Sequence, residues 1–409
     1  MPIDRCHATL SAELDALRER GTLKGEETVF VRVLPAEGER GPRYHVAGEG
    51  DQPFLKMNSN NYLGMSLRKE LIHAEEAASA EFGVGPGAVR FISGTYQAHV
   101  DLEARLAAFH GRESAMIFSS AYATTLGVLV PLATADTVLI SDELNHNCII
   151  NAMRLARPKD KAVYKHLDMA DLDAKLAAAA GTCSRAVVVT DGIFSMRGSH
   201  APLPEILEIA ERWDGKFPDN VVVVADDSHG VASFGRTGRG TEEYTGSRPV
   251  DVLIATLGKA LGVNGGYVTG SRTLTRYLRE TAATYIYSNP ITMGECAAAL
   301  KALEIVDSPE GVKLLEHLRA MTARFRDGLV RLGFETLPGE HPVVPLMVRD
   351  TPKTTALVAH LRKHGILATG LKFPVVPRGD ESIRFQVSAD HRPHDIDQVL
   401  QALEGFQNS

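Results

Sequence analysis

A chain of 409 residues with 44% apolar residues is long enough to bury two or three compact cores. Its net charge of −7 offers no basic face for nucleic acid, and no run reaches the roughly 20 apolar residues of a membrane span, so small-molecule substrates are expected. Cys6, Cys148, Cys183 and Cys296 lie far apart without a Cys-x-x-Cys pair, and Met1–Leu10 carries charge without an apolar stretch, so a cytoplasmic protein with reduced thiols and no metal centre is expected.

Residues 1–55 read as an N-terminal arm, with a helical pattern through Leu10, Leu14 and Leu17 and a strand-like Val29–Val33. From 56 to 292 short apolar runs alternate with longer helical patterns, the signature of an α/β domain with a mainly parallel sheet. Met116–Phe118, Thr137–Ile140, Ala186–Val189, Val221–Val224 and Val252–Ile254 are the strands, being short, apolar and mostly β-branched. They run into Ser119-Ser120, Ser141-Asp142, Thr190-Asp191, Asp226-Asp227 and Thr256, and open parallel sheets bind ligands at such carboxyl ends. Residues 293–409 read as a smaller α+β domain. Leu314, Leu318, Met321, Phe325, Leu329 and Leu332 share one helical face, followed by a strand at Val343–Val348 and helices near Thr355–His364 and His394–Phe406.

The strand ends carry the chemistry. Ile254–Gly262 places Lys259 in an apolar, glycine-flanked turn, where desolvation lowers an ammonium pKa as a Schiff-base lysine needs; the competing reading is a surface turn lysine. Asp226 and His229 follow the four-valine strand, and a carboxylate there can keep a pyridinium nitrogen protonated while the imidazole reaches the ring hydroxyl. A helix N-cap and a packed polar group are their alternatives. Phe118–Thr125 brings small residues into a helix N-terminus, a phosphate-binding arrangement that also serves as an ordinary cap. Thr256 and Ser288 add hydroxyls near turns, His146 an imidazole able to lie flat on an aromatic cofactor, and Arg384 a fork suited to a carboxylate or to a surface ion pair.

These pieces together resemble the α-oxoamine synthases, fold-type I pyridoxal-phosphate (PLP) enzymes. The resemblance covers nearly the whole chain through Asn60–Gly64, Val89–Thr95, His99 with Glu103, Asn145-His146, Thr190–Met196, Asp226–His229, Gly238–Gly240 and Thr256–Gly262. The variants at Val89–Ile92, Asp226–His229, Thr256–Lys259 and Phe373–Pro377 look most like the 2-amino-3-ketobutyrate CoA ligase (glycine C-acetyltransferase) branch. The resemblance implies that Lys259 is the Schiff-base lysine, Asp226 the pyridine-nitrogen partner, His146 the stacking ring and His229 with Ser195 the ring-hydroxyl contacts. It further implies that Ser120, Ala121, Tyr122 and Thr256 hold the phosphate, that Ser288 and Asn289 reach it from a second subunit of a homodimer, and that Asn60 and Arg384 orient the amino-acid carboxylate. His99 and Glu103 look structural. The implied reaction is a Claisen-type condensation of a small amino acid, glycine, with an acyl thioester, acetyl-CoA. A decarboxylating relative using alanine, serine or glycine with a longer acyl-CoA or acyl-carrier protein, and an aminotransferase, are the alternatives. Thr125, Asn147-Cys148 and Arg197 depart from the family's usual Asn, Ala-Ser and Asp, while Ala88 and Val89 leave room for a small amino acid.

Overall fold

The computed structural model describes residues 3–23, 25–373 and 375–407; Pro374 of the Phe373–Pro377 run, and the ends of the arm and small domain, lie outside them. The arm supplies three strands, β1 (Phe30–Leu34), β2 (Arg43–Val46) and β3 (Pro53–Lys56). The central sheet follows with β4 (Ser114–Phe118), β5 (Thr137–Asp142), β6 (Asp160–Tyr164), β7 (Arg185–Asp191), β8 (Val221–Asp226), β9 (Val252–Thr256) and β10 (Gly266–Gly270). The last portion adds β11 (Val343–Met347), β12 (Ile366–Leu367), β13 (Thr369–Leu371) and β14 (Ser382–Gln386).

The central sheet has the order β4-β10-β9-β8-β7-β5-β6, and only β10 runs antiparallel to its neighbours. Its strands are continuous apolar runs because both faces are covered. Val138, Ile140, Val188 and Val223 pack toward helices Met169–Ala179 and Leu203–Asp214. Leu139, Val187, Val189 and Val224 point the other way, toward helices Ala121–Leu132 and Asn147–Leu155. The five expected strands are all present. Two were missed: β6, whose Asp160-Lys161 start is polar and exposed, and β10, whose bounding glycines read as turn punctuation.

The small sheet has the order β11-β14-β13, with Arg384 on its central strand opposite Pro345 and Thr369. The arm is stitched to this part of the chain: β3 pairs with β12 in parallel, Met57 N–H donates to Leu367 O (2.9 Å), and Gln386 N–H donates to Met57 O (2.8 Å). A buried Arg43–Asp395 ion pair at 2.6 Å closes the same seam. The amphipathic face expected around Leu318, Met321, Phe325 and Leu329 is the buried side of Pro309–Arg331, which Ser308 caps through Glu310 and Gly311 N–H. Helix Met293–Val306 opens with a Thr292/Glu295 capping box and packs closely on Lys69–Phe82, where a Cβ at Gly294 would meet Ser79 Oγ at 2.6 Å. The arm helix, Asp4–Glu19, buries none of its residues within the chain.

His99 bridges Tyr96 N–H and Ile291 O, and Glu103 pairs with Arg90 and Arg279 while accepting Ile117 N–H. Both hold helix Gln97–Phe109 in place.

Burial sets the acid response of the fold. It lowers the pKa of His110 and His341 to about 3 and of His391 to about 4, and holds His229 well below the ordinary imidazole range. Burial also pushes Asp227 up to about 7 and Asp191 well above the carboxylate range. Unfolded histidines titrate near ~6.5 and unfolded aspartates near ~3.9. The histidine contribution is therefore fully present above ~6.5 and is lost as pH falls; the two aspartates act in the opposite sense as pH rises, and are outnumbered. Urea-unfolding midpoints should drop between about pH 7 and about pH 5, and an unchanged or higher midpoint at the lower pH would contradict the neutral buried histidines.

Candidate active site

The carboxyl ends of β5, β7, β8 and β9 deliver His146, Asp191, Asp226 and Lys259 side by side, because the strands are adjacent and in parallel register, with Asp191 opposite Asp226. Together with Ala121, Tyr122, Ser195 and His229 they line one small recess. Lys259 also lines a second and larger cleft of about 720 Å³, which runs past Asn58, Asn60, Asn61, Ser66, Thr369 and Arg362. The lysine stands where the two meet.

Lys259 is half-buried, and burial lowers its pKa against the partial opposition of the Asp226 and Asp191 carboxylates. The turn that carries it is held by Thr256, whose Oγ1 donates to Gly265 O (3.1 Å) and accepts Gly258 N–H (3.0 Å). Asp226 is 5% exposed at the base of the recess. Its Oδ1 accepts Ser228 N–H (3.1 Å), and its Oδ2 lies 3.1 Å from Thr125 Oγ1 and 3.8 Å from Cys148 Sγ. Two of the three departures from the family pattern thus touch this one carboxylate.

His146 lines the mouth of the recess with its ring part-buried. Its Nδ1 accepts Cys148 N–H (3.3 Å), which caps helix Asn147–Leu155, and the backbone N–H of His146 donates to Asp191 Oδ2 (3.0 Å). Burial lowers its pKa, so the ring is neutral. Asp191 is fixed in turn by Asn145, which accepts Asp191 N–H at 2.7 Å and donates to Val189 O at 2.9 Å.

Ser120 caps helix Ala121–Leu132 by accepting Ala123 N–H (3.1 Å). The first N–H groups of a helix have no intrahelical partner. Gly266 on β10 lies so close behind them that a Cβ there would overlap the Ala121 backbone, which keeps the helix start fixed beside the recess. Such a cradle of N–H groups, an imidazole at the mouth, a carboxylate at the base and a desolvated amine beside it match the donor set a phosphorylated pyridine aldehyde requires.

Arg384 reaches across from β14 and donates through Nη1 to Ser195 O (3.1 Å), leaving its Nε buried without a partner. Asn60 lies in the neighbouring cleft, where its Oδ1 accepts from Gln386 Nε2. Ser288 is half-buried and Asn289 exposed, beside Tyr287 at 80% exposure, and neither lines the recess of its own chain. The residue-level expectation overlooked Asp191, Tyr62 and Gln386. All three lie within or next to runs already singled out, yet their partners are far away in sequence.

A family model described as aminotransferase class I and II matches residues 52–403. The chain is 39% identical over 396 residues to the mitochondrial 2-amino-3-ketobutyrate coenzyme A ligase of Bos taurus, covering 96% of this chain and 90% of that one. It is 37% identical to 8-amino-7-oxononanoate synthase 1 of Bacillus velezensis, covering 96% of each. A serine palmitoyltransferase structure from S. paucimobilis, with bound PLP–myriocin aldimine, superposes with a TM-score of 0.86 at 23% identity, covering 100% of this chain and 98% of that one.

The thiols make one feature of the site checkable without substrate. Burial pushes the Cys148 thiol far up and Cys296 to about 12, Cys183 is buried, and Cys6 is exposed. Thiolates, not thiols, attack disulfide reagents. Ellman's reagent at neutral pH should label Cys6 quickly and the other three only after unfolding; fast labelling of Cys148 would contradict its packing against Asp226.

Proposed function

Since the chain belongs to the class I and II aminotransferase family, and within it to the α-oxoamine synthases, its cofactor is PLP and it is a C-acyltransferase, and we propose that it condenses glycine with acetyl-CoA. The observation that carries this reading is the placement of Lys259 between the enclosed recess and the open cleft. One amine can thereby serve a cofactor on one side and meet an incoming thioester on the other.

Bound PLP supplies an aldehyde that links to amines and a pyridinium ring that accepts electron density from Cα. Asp226 would hold the proton on the ring nitrogen, and His146 would pack against the ring. Ser120, Thr256 and the N–H groups of Ala121 and Tyr122 hold the phosphate, joined by Ser288 and Asn289 of the partner subunit in a homodimer. His229 and Ser195 take the ring hydroxyl. The amino acid's carboxylate would go to Arg384, whose buried Nε has no protein partner, and to Asn60. Lys259 would be the attachment point for the cofactor and, once freed, the base for the Cα proton, a role supported by its lowered pKa. The acyl thioester approaches through the cleft past Asn58, Ser66 and Thr369. Its carbonyl carbon bonds to Cα and its thiolate leaves with a proton.

The near-equal identity to the ligase and to the oxononanoate synthase favours one second reading, an alanine-using, decarboxylating condensation with a longer acyl chain. Among the described residues no helix is long and apolar enough to cross a membrane, and all four cysteines are free, which supports a cytoplasmic setting.

Purified protein incubated with glycine and acetyl-CoA should release free CoA and yield a β-keto amino acid that retains the glycine carboxylate. Carbon dioxide release with alanine and a longer acyl-CoA would select the second reading. Lys259→Ala should abolish CoA release. Arg384→Ala should raise the KM for glycine by roughly 10- to 150-fold, the range for losing about 1.5–3 kcal/mol of charged hydrogen bonding. An unchanged KM would remove Arg384 from the carboxylate site.

A further inference from the structure

Tyr62 lies fully buried, yet its hydroxyl touches the machinery just described. It stands 2.7 Å from His229 Nδ1 and 3.3 Å from Asn60 Oδ1. Its ring packs edge-on against His341, with centroids 5.5 Å apart. His341 accepts Val343 N–H on Nδ1 (3.1 Å), so its Nε2 carries the proton and donates to His229 O (2.9 Å). The imidazole of His229 is therefore gripped at its backbone by one buried ring and at one ring nitrogen by another.

A neutral imidazole has a single N–H, and its position decides whether the ring offers the recess a donor or a lone pair. His229 is neutral because burial disfavours its charge, and the groups facing it, Lys259, His341, Arg384 and His146, all push the same way. Burial likewise keeps the Tyr62 phenol protonated. Its one proton can go to His229 Nδ1 or to Asn60 Oδ1. An imidazole nitrogen is the more basic acceptor, it is closer by 0.6 Å (3.3 against 2.7 Å), and Asn60 Oδ1 already receives Gln386 Nε2.

We propose that Tyr62 is a positioning residue that donates its hydroxyl proton to His229 Nδ1, locking His229 as the Nε2–H tautomer so that it presents a hydrogen-bond donor to the cofactor's ring oxygen. This rests on the assignment of PLP to the recess. A donor at that oxygen stabilises its anionic form, which weakens the oxygen's hold on the neighbouring imine proton and lowers the pH at which that proton is lost. Removing the lock lets His229 turn a lone pair toward the oxygen, with the opposite effect.

The test is the pH titration of the visible absorbance of the PLP-bound enzyme. Tyr62→Phe keeps the ring that packs on His341 and should retain full cofactor content while its titration midpoint rises by about one pH unit, a tenfold change in the proton equilibrium. In a His229→Ala background the same substitution should produce no shift, since Tyr62 acts only through His229. An unchanged midpoint in Tyr62→Phe, or an equal shift in both backgrounds, overturns the proposal. Wild-type protein with no visible band would instead overturn the cofactor reading itself. Independently of any variant's folding, ¹⁵N shifts of histidine-labelled wild-type protein freed of cofactor should show His229 protonated at Nε2; protonation at Nδ1 overturns the proposal.

Discussion

Asp227 is the group around which the site is assembled. Its carboxyl accepts Thr241 N–H (2.7 Å) and Thr241 Oγ1–H (2.6 Å), and it is 1% exposed. Gly192, Gly230 and Gly240 close around it so tightly that a Cβ on any of them would overlap the carboxyl oxygens. Gly240 also has φ +85°, which only glycine adopts without strain. Since Asp226 precedes Asp227 and His229 follows two residues later, clamping Asp227 aims Asp226 into the recess and turns the chain so that His229 meets Tyr62. Gly192 extends the same clamp to the end of β7, just after Asp191. A buried carboxyl without its partners would cost several kcal/mol, so this cluster forms whole or the strand ends are not set.

Two rigid bodies of hydrogen bonding then divide the work. The cofactor side is built on the central sheet, where every contributing side chain follows a strand end and inherits the register of the ladder. The other is built on β14, whose pairing on both edges fixes Arg384 and Gln386. The segment carrying Asn60 and Tyr62 joins them: Ala389 N–H donates to Tyr62 O (2.7 Å), while the Tyr62 hydroxyl reaches His229 on the sheet side. One short turn, carrying Asn60 and Tyr62, is thus tied to both the small sheet and the central sheet.

Much of this was legible in the sequence because buried parallel strands have a plain signature. Val221–Val224 and Ala186–Val189 could only be covered on both faces, and a sheet of that kind places functional groups at its carboxyl edge. Lys259, Asp226, His146 and Arg384 stood out by residue type against apolar surroundings. β10 did not, since Gly266 and Gly270 look like breakers until the helix start at Ala121 is seen to need Gly266's missing side chain. Tyr62 was hidden for another reason. A tyrosine next to a turn is ordinary, and what distinguishes it is a partner 167 residues away, which neither propensity nor periodicity encodes. The arm helix shows the converse: the pattern of Leu10, Leu14 and Leu17 is correctly helical, yet it faces no core within the chain.

That exposed arm belongs with other apolar surface left on the same protomer. β1 shows Phe30, Val31 and Val33 to solvent, and Val84, Phe91, Ile92 and Tyr287 are exposed as well. Arg90 and Arg279 both lie over the Tyr285 ring, so the loop carrying Phe91 and the turn carrying Tyr287 to Asn289 are braced against one another. Ser288 and Asn289 therefore sit on a stiff apolar shelf and do not line their own chain's recess. Apolar surface of this kind is stabilised when it is covered, and the polar pair beside it contributes nothing to the recess of its own chain.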